Sequence, residues 1–263
     1  MTNTTPSVIH SFENSAFAVR TEPRFHPVKK ASTIVVQRCE KKYAIGMEDR
    51  IRLLEAFNVL LTPDIYGGKF GYIVRSIYFD SINNNDYLNK IYKASERKNI
   101  RIRTYNADSP IAKFEIKFKR GDNQVKKSIT ISKEDALAMI NRDFSVLLKY
   151  ENPTAQYGYK IMKAGLYRPV SFIQYDRRAF THRDFNTRIT LDNHVLYSNH
   201  SFNLYNPDLD LCTPILSNNT VLEVKYEKYL LPYLQDMILG CEHLGKPISK
   251  FGTSRKIVTS YYC

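Results

Sequence analysis

Alternating polar and apolar positions recur along this chain and predict β-strands. In residues 99–105, Arg101 and Arg103 alternate with isoleucines, so the charged side chains project to one face of a strand and the apolar side chains to the other. Residues 113–119 repeat the pattern, and the intervening residues 106–110 are rich in turn formers. The two segments are therefore predicted to form an antiparallel hairpin with one apolar face and one ionic face.

The same patterns predict further strands and the helices between them. Strands are predicted at residues 32–45, 72–80, 124–131, 169–180, 187–192 and 221–226. Helices are predicted at residues 47–61, 86–94, 154–166 and 231–244. A further helix is predicted to begin after the N-cap residue Ser132. Its apolar face would consist of Leu137, Ile140, Phe144 and Leu148. Residues 193–219 are predicted to form a polar loop.

The ionic rows of at least five strands have two interpretations. On an antiparallel sheet, polar positions commonly face water, which would leave the apolar rows to fill the interior. Two features favour the opposite arrangement: the amphipathic helices need an apolar sheet face to cover, and the rows mix Glu with Lys and Arg. Charged rows that line an enclosed space need a counter-ion, because unpaired buried charges are very unfavourable. A chain of phosphates, with a divalent cation on the glutamates, would provide one.

Charge and composition narrow the class of partner. The 263-residue chain has a formal net charge of +13, spread along its length, which indicates a folded basic surface and an anionic partner. The four cysteines are far apart, so neither a zinc site nor a disulfide framework is expected, and a cytoplasmic location fits best. No apolar run is long enough to span a bilayer. Residues 1–33 are polar and irregular and are predicted to be a flexible arm.

Motifs for common nucleotide enzymes are absent from the sequence, but a different set appears in order. There is no glycine-rich phosphate loop, no His/Cys cluster and no G-x-S-x-G elbow. The set comprises Arg38-x-Glu40-x-Lys42-Tyr43, residues 74–80, Arg101-Ile102-Arg103, Glu115-Ile116-Lys117, Tyr175-Asp176-Arg177, Arg188-Ile189-Thr190, residues 222–226 and Ser249-Lys250-Phe251. Together these motifs resemble the VTC domain, the polyphosphate polymerase module of the vacuolar transporter chaperone complex, within the triphosphate tunnel metalloenzyme (CYTH-like) superfamily.

This resemblance implies a fold and an activity. The fold is α+β: a closed antiparallel β-barrel tunnel with a charged interior, flanked by helices, in one domain at residues 34–263. The activity is transfer of the γ-phosphate of ATP to a growing inorganic polyphosphate chain, with Mn²⁺ or Mg²⁺ as cofactor. ATP and polyphosphate are then the expected partners, and nucleic acid is not.

The resemblance also implies functional roles for individual residues. The phosphate ligands it implies are Lys42, Arg101, Arg103, Lys117, Arg177, Arg188 and Lys250, of which Arg101, Arg103, Lys117 and Arg177 are expected to act in catalysis. Lys225 and Ser249 are expected to line the tunnel. Either Lys126 or Lys127 adds a basic contact. Glu223 is the expected metal ligand, because the first position of the superfamily's Glu-x-Glu-x-Lys strand is Arg38 here. Glu40 and Glu115 either assist the metal or serve as counter-charges.

Two other functions compete with the polymerase. A triphosphatase would use the same tunnel and deliver water to the γ-phosphate. A non-catalytic module would bind polyphosphate or RNA, with aromatic residues as stacking platforms. Tyr78, Phe79, Phe114 and Phe118 lie in predicted strands, however, where core packing is the simpler interpretation.

Overall fold

Ten strands in the described part of the chain form one antiparallel sheet. The computed structural model describes residues 38–68, 70–121, 123–207, 213–214, 219–242 and 249–260. The strands are β1 (Arg38–Ile45), β2 (Thr62–Pro63), β3 (Tyr72–Asp80), β4 (Glu96–Thr104), β5 (Ile111–Arg120), β6 (Asn123–Ser132), β7 (Arg168–His182), β8 (Thr187–Ser198), β9 (Thr213–Pro214) and β10 (Thr220–Glu227). They are hydrogen-bonded in the order β1-β10-β8-β7-β3-β4-β5-β6, with β2 paired to β7 and β9 to β8.

Helices occupy most of the connections between these strands. They are α1 (Met47–Leu60), α2 (Asn85–Ile91), α3 (Lys133–Ile140), α4 (Pro153–Ala164), α5 (Pro232–Leu239) and α6 (Lys250–Ser260), with 3₁₀ helices at Phe144–Lys149 and Asp184–Asn186. No helix among the described residues has the length and apolar character needed to cross a membrane. Residues Val36–Cys263 group into one compact unit, and the predicted arm at residues 1–33 lies outside the described residues.

The apolar face of the sheet packs against helices. Ile100 and Ile102 of β4 are fully buried in one cluster with Met139 of α3 and Met162 of α4. A second cluster joins β8 and β10 to α1 and α5. Because side chains alternate along a strand, the charged row of β4 must face away from these helices. The prediction that the ionic rows share a face opposite the helices is confirmed.

The predicted helix after Ser132 has a different form. The Ser132 side chain caps α3 by accepting a hydrogen bond from the Asp135 backbone N–H at 3.1 Å, as expected. The helix then ends at Ile140, and the next turn is a separate 3₁₀ helix, because the backbone between them turns at Arg142, with φ +71°. This break changes the helical register, so Leu148 is exposed although Phe144 is buried. Leu137, on α3 itself, is also exposed, and the predicted single apolar face was wrong.

Hydrogen bonding does not close the sheet within the described strands. Strands β1 and β6 form its two edges, and no pairing joins them, so the predicted closed barrel is not observed. The sheet nevertheless curves until side chains of β1 and β5 meet, with Lys117 Nζ 3.9 Å from Glu40 Oε2. Paired strands lie about 4.8 Å apart. Because the side chains of Glu40 and Lys117 lie between β1 and β5, the backbones of these two strands are farther apart than those of paired strands.

Helix α6 was not predicted, although its first two residues, Lys250 and Phe251, lie on the charged face. Its Phe251 stacks on Tyr78 of β3, with ring centroids 4.8 Å apart. Ser254, fully buried, has its Oγ 2.8 Å from Ser171 Oγ of β7. The apolar content of this segment is low, so periodicity alone gave no helical signal, and its position depends on contacts with distant strands.

Gly71 occupies a position that tolerates no side chain. Its φ is +88°, and a Cβ there would overlap the carbonyl oxygen of Arg177 on β7 and lie 2.8 Å from Arg178 Cδ. We expect Gly71→Ala to lower the free energy of unfolding by about 2–4 kcal/mol, from backbone strain plus steric overlap. Gly68→Ala is the matched control, because φ is also positive there but no atom of the described structure lies within 4 Å of the added Cβ, and it should cost about 1 kcal/mol. Urea denaturation of both variants checks this prediction, which equal losses would contradict.

Candidate functional site

The charged face of the sheet lines a cavity of about 340 Å³. Side chains from seven strands, from α2 and from the start of α6 contribute to its wall. Its cationic residues are Lys42, Lys90, Arg97, Arg101, Arg103, Lys117, Lys119, Lys126, Arg177, Lys225 and Lys250. Its acidic residues are Glu40, Glu115 and Glu223. Eleven positive and three negative side chains leave an excess of eight positive charges, so the described lining favours a polyanionic ligand.

Every predicted site residue except Arg188 lines this cavity. Arg188 lies on β8 opposite Lys225 of β10, on the same face of the sheet. Its Nη2 instead donates to Asp64 Oδ2 at 2.6 Å and to the Tyr72 hydroxyl at 3.2 Å. Asp64 follows β2, which pairs with β7 and so reaches this end of the sheet. The structure therefore does not bring Arg188 into the cavity, and sequence spacing gave no sign of this competing carboxylate.

Glu115 holds two cavity cations in place. Its Oε2 accepts from Arg101 Nε and lies 2.6 Å from Arg101 Nη2, and its Oε1 accepts from Lys126 Nζ at 3.0 Å. Burial acts to raise the pKa of Glu115, but Arg101, Arg103 and Lys126 outweigh it and lower the pKa to about 2. Both oxygens are thus occupied by protein cations. Of the two roles left open for Glu115, the geometry fits the counter-charge.

The choice between Lys126 and Lys127 is resolved by the direction of their side chains. Lys126 binds Glu115 inside the cavity. Lys127, the next residue on β6, projects to the opposite face, where its Nζ lies 6.0 Å from the centre of the Phe118 ring. Lys126 is therefore the one that can contact a ligand in the cavity.

A buried aspartate that the sequence analysis did not single out positions two further cations. Asp192 of β8 accepts from Arg177 Nε at 2.6 Å and Nη2 at 2.8 Å, and from Lys250 Nζ at 2.6 Å. Its side chain is fully buried. Burial acts to raise the pKa of Asp192, yet Lys250 and Arg177 lower it below the ordinary value, so the group is a carboxylate. Its place in the alternating row of β8 was the only available signal.

Glu223, Glu40 and Lys42 form the acidic side of the cavity. Lys42 Nζ lies 2.8 Å from Glu40 Oε1 and 3.4 Å from Glu223 Oε2, while Lys225 Nζ lies 2.5 Å from Glu223 Oε1. Burial acts to raise the pKa of Glu223, but Lys42 and Lys225 lower it well below the usual range. The Oγ1 of Thr190, opposite Glu223 on β8, is buried without a hydrogen-bond partner in the described structure. Two carboxylates and an unsatisfied hydroxyl oxygen are the donor types that Mg²⁺ and Mn²⁺ prefer.

Protein side chains alone would not complete a metal site here. In the described residues, no group of three or more His, Cys, Asp or Glu side chains could hold a metal ion. Mg²⁺ is commonly held by one or two carboxylates together with substrate phosphates and water. The residues present therefore fit a cation whose remaining ligands would come from an anionic ligand and water.

Tyr78 belongs to the cavity wall, whereas the sequence analysis placed it in the core. Its hydroxyl accepts from Arg101 Nη1 at 2.9 Å. Burial acts to raise the pKa of Tyr78, but Arg101, Arg103 and Lys250 outweigh it and lower the pKa to about 8. The interpretation as core is confirmed for Phe79 and Phe114, which are fully buried.

The Tyr78 environment predicts a pH-dependent signal. We expect the phenolate absorbance of the wild type, minus that of Tyr78→Phe, to rise with a midpoint near pH 8, as the pKa of Tyr78 is lowered to about 8. Arg101→Ala should move this midpoint upward, beyond about pH 10, because burial then acts with less opposition. A difference spectrum that stays flat until the ordinary tyrosine range would contradict the assignment.

Other cavity residues were not singled out as site residues from the sequence. Arg97 and Asn99 continue the row of Arg101 on β4, and Lys119 continues the row of Lys117 on β5, so strand alternation could have found them. Lys90 comes from α2, where no sequence pattern pointed to the cavity.

An antiparallel sheet that curves around a cation-rich cavity, with helices on its outer face, is the arrangement of the triphosphate tunnel fold. Of two solved structures that resemble this chain, the first supports this fold. A putative adenylyl cyclase from Hippeastrum, described as having a dominant triphosphatase activity, has a TM-score of 0.52 and 12% identity, over 84% of this chain and 96% of that chain. A putative adenylate cyclase from Bacillus halodurans has a TM-score of 0.47 and 14% identity, over 79% of this chain and 92% of that chain.

The family follows from the sequence match. The VTC domain family model matches residues 37–259, and the chain belongs to this family. A search of curated proteins finds no match. The resemblance inferred from eight motifs is thereby confirmed.

Proposed function

We propose that this protein is a polyphosphate polymerase, which transfers the γ-phosphoryl group of ATP to the end of an inorganic polyphosphate chain. Membership of the VTC family and the fold support the broader class, an enzyme that acts on phosphates in a triphosphate tunnel. The observation that carries the proposal is the convergence, among the described residues, of eleven cations and three carboxylates on one cavity. A row of Arg and Lys side chains can bind successive phosphates along a chain.

Catalysis in this proposal depends on alignment and charge neutralisation. Arg101, Arg103, Lys117 and Arg177 bind the transferring phosphoryl group, since phosphoryl transfer needs little covalent help from the protein. Glu115 and Asp192 are positioning residues: they fix the directions of Arg101 and Arg177 through bonds of 2.6 Å. Groups held in this way need little reorganisation when charge moves in the transition state.

The transfer step balances without a general base. A terminal oxygen of the acceptor chain, already anionic, attacks the γ-phosphorus of ATP and forms a new P–O bond. The bond between the γ-phosphorus and the β–γ bridging oxygen breaks, and ADP leaves with the electron pair. The chain gains one phosphoryl group, and no proton need move at the attacking atom.

Glu223 and Glu40 would hold the divalent cation, Mn²⁺ or Mg²⁺. When bound, this cation supplies positive charge to the donor phosphate oxygens. Lys42 lies between the two carboxylates, at 2.8 Å from Glu40 and 3.4 Å from Glu223, where its ammonium could also contact a phosphate oxygen.

A triphosphatase is the second candidate, favoured by the described activity of the Hippeastrum protein. At 12% identity that likeness bears on the fold alone. The two activities differ in the acceptor: water in one case, a phosphate chain in the other.

Incubation with ATP and Mn²⁺, followed by gel electrophoresis stained for polyphosphate, tests the proposal. A ladder of long products is expected from the wild type, and none from Glu223→Gln. Orthophosphate without a ladder would make the protein a triphosphatase. Binding of polyphosphate or RNA without any metal-dependent turnover would make it a non-catalytic module.

A further inference from the structure

Four cavity cations have no carboxylate partner among the described residues, and three of them, unlike Arg103, lie outside the set proposed to bind the transferring group. Glu115, Asp192 and Glu223 each bind two cations of the cavity. Lys90, Arg97 and Lys119, here called the outer cluster, have no carboxylate oxygen within 4.0 Å in the described part of the chain. Protein charges therefore balance one part of the cavity and leave the outer cluster unbalanced.

The backbone places the outer cluster where its charges oppose one another. Arg97 on β4 and Lys119 on β5 are direct cross-strand partners. Like charges in that position are destabilising in the absence of a ligand. An ion pair at this position would have removed the repulsion. The next cross-strand pair, Glu96 and Arg120, does form an ion pair at 2.9 Å, but both of its side chains are exposed to solvent. The cavity-facing pair therefore receives no counter-charge from the described part of the chain, and a bound anion would supply one.

Lys90 completes the cluster from a different element. Its ammonium donates to Ser249 Oγ and lies 5.4 Å from the centre of the Phe251 ring. Burial lowers the pKa of Lys90 to about 8; Tyr78 acts to raise it, and the positive charges of Lys42, Lys117 and Arg97 act with burial to lower it. A neighbouring anion would reverse that repulsion.

Arg97 lies apart from Arg101, the residue of the same row that is proposed to bind the transferring group. Arg97 and Arg101 are on the same face of β4, four residues apart. At about 3.3 Å per residue, their Cα atoms are about 13 Å from each other along the strand. Asn99 separates them in the row, opposite Lys117. A single phosphoryl group would therefore not contact both Arg97 and Arg101.

We propose that Lys90, Arg97 and Lys119 form a second anion subsite, which binds the distal phosphates of a long polyphosphate chain and gives the cavity its preference for long chains over triphosphate. The substrate class rests on the proposed function, but the preference is a property of binding and does not depend on turnover.

Calorimetric titration with inorganic tripolyphosphate and with a long polyphosphate, at fixed ionic strength and without metal, tests this subsite. The wild type should bind the long chain more tightly. In the double variant Arg97→Gln, Lys119→Gln, the ratio of the two Kd values should fall by roughly tenfold or more, because two charge-assisted contacts are lost. Lys127→Gln removes one cation from the opposite face and should leave the ratio unchanged. The double variant Arg97→Lys, Lys119→Arg keeps both positive charges and should retain most of the wild-type ratio of Kd values.

Several results would overturn the subsite. The wild type could bind both ligands equally, or the double variant could weaken both by the same factor. Thermal unfolding distinguishes misfolding from lost binding: the double variant should be at least as stable as the wild type, since it removes opposed like charges. If Lys90→Gln alone also lowers the ratio of the two Kd values, Lys90 of α2 contributes to the subsite as proposed. An unchanged ratio would remove Lys90 from the subsite. Selective binding with no polymer formed would reject the polymerase and leave the subsite standing.

Discussion

Arg103→Ala is expected to lower kcat/KM for ATP by roughly 30- to 1,000-fold, because it removes about 2–4 kcal/mol of transition-state stabilisation. Arg103 is buried, with 8% of its surface exposed. Its nearest partners are Ser76 Oγ and the Tyr175 hydroxyl, both at 3.4 Å, which is long for a hydrogen bond. Its guanidinium donors therefore remain available for phosphate oxygens.

The conservative variant separates charge from geometry. Arg103→Lys keeps the positive charge but loses the planar fork that binds two oxygens at once, so its kcat/KM should lie between those of the wild type and the alanine variant. Initial-rate kinetics with ATP and Mn²⁺ measure both. Wild-type turnover in Arg103→Ala would refute the role assigned to this residue.

Asp192→Asn is expected to lower the free energy of unfolding at pH 7 by about 3–5 kcal/mol, the cost of removing one partner from a buried ionic group. Asp192 is fully buried, and the side chains of Arg177 and Lys250 are each only 13% exposed. Two cations would then lack their counter-charge, and polymer formation should also fall because both cations face the proposed phosphate site.

The stability that Asp192→Asn loses should depend on pH in a defined direction. The pKa of Asp192 is lower in the folded protein than in the unfolded chain, so its contribution is full above the unfolded pKa of about 4 and is lost as pH falls toward the folded pKa. Wild type and Asp192→Asn should therefore converge in strongly acidic solution. Urea denaturation at several pH values tests this.

An exposed ion pair provides the matched control. Glu96 and Arg120 are 68% and 84% exposed and lie 2.9 Å apart. Glu96→Gln should cost less than about 1 kcal/mol, because water screens the pair. A similar loss in both variants would mean that the buried network has no special role in stability.

The strands and the face that each residue occupies were largely predictable. The strand at residues 72–80 has the predicted bounds, and the β10 bounds differ from prediction by one residue at each end. Alternation is a local property, so it places Arg101, Lys117 and Glu223 on one side of their strands without knowledge of any partner. Helix ends were harder, since the break at Arg142 has no signal in apolar periodicity.

A cavity residue could be predicted from the sequence where strand alternation alone places its side chain on the charged face. Twelve of the thirteen predicted site residues line it, all on strands or at the start of α6. The failures came from contacts between segments distant in sequence: Asp64 engages Arg188 across 124 residues, and α6 docks on β3 and β7 through Phe251 and Ser254. No local pattern encodes such contacts.

By itself, the sequence determined which side chains are charged, which strands carry them and that their rows share one face, because these follow from composition and a two-residue period. Only the tertiary structure decided how those rows balance one another. Pairing depends on distances between elements far apart in the chain, so only folding could assign carboxylates to Arg101 and Arg177 and leave Lys90, Arg97 and Lys119 without one in the described residues.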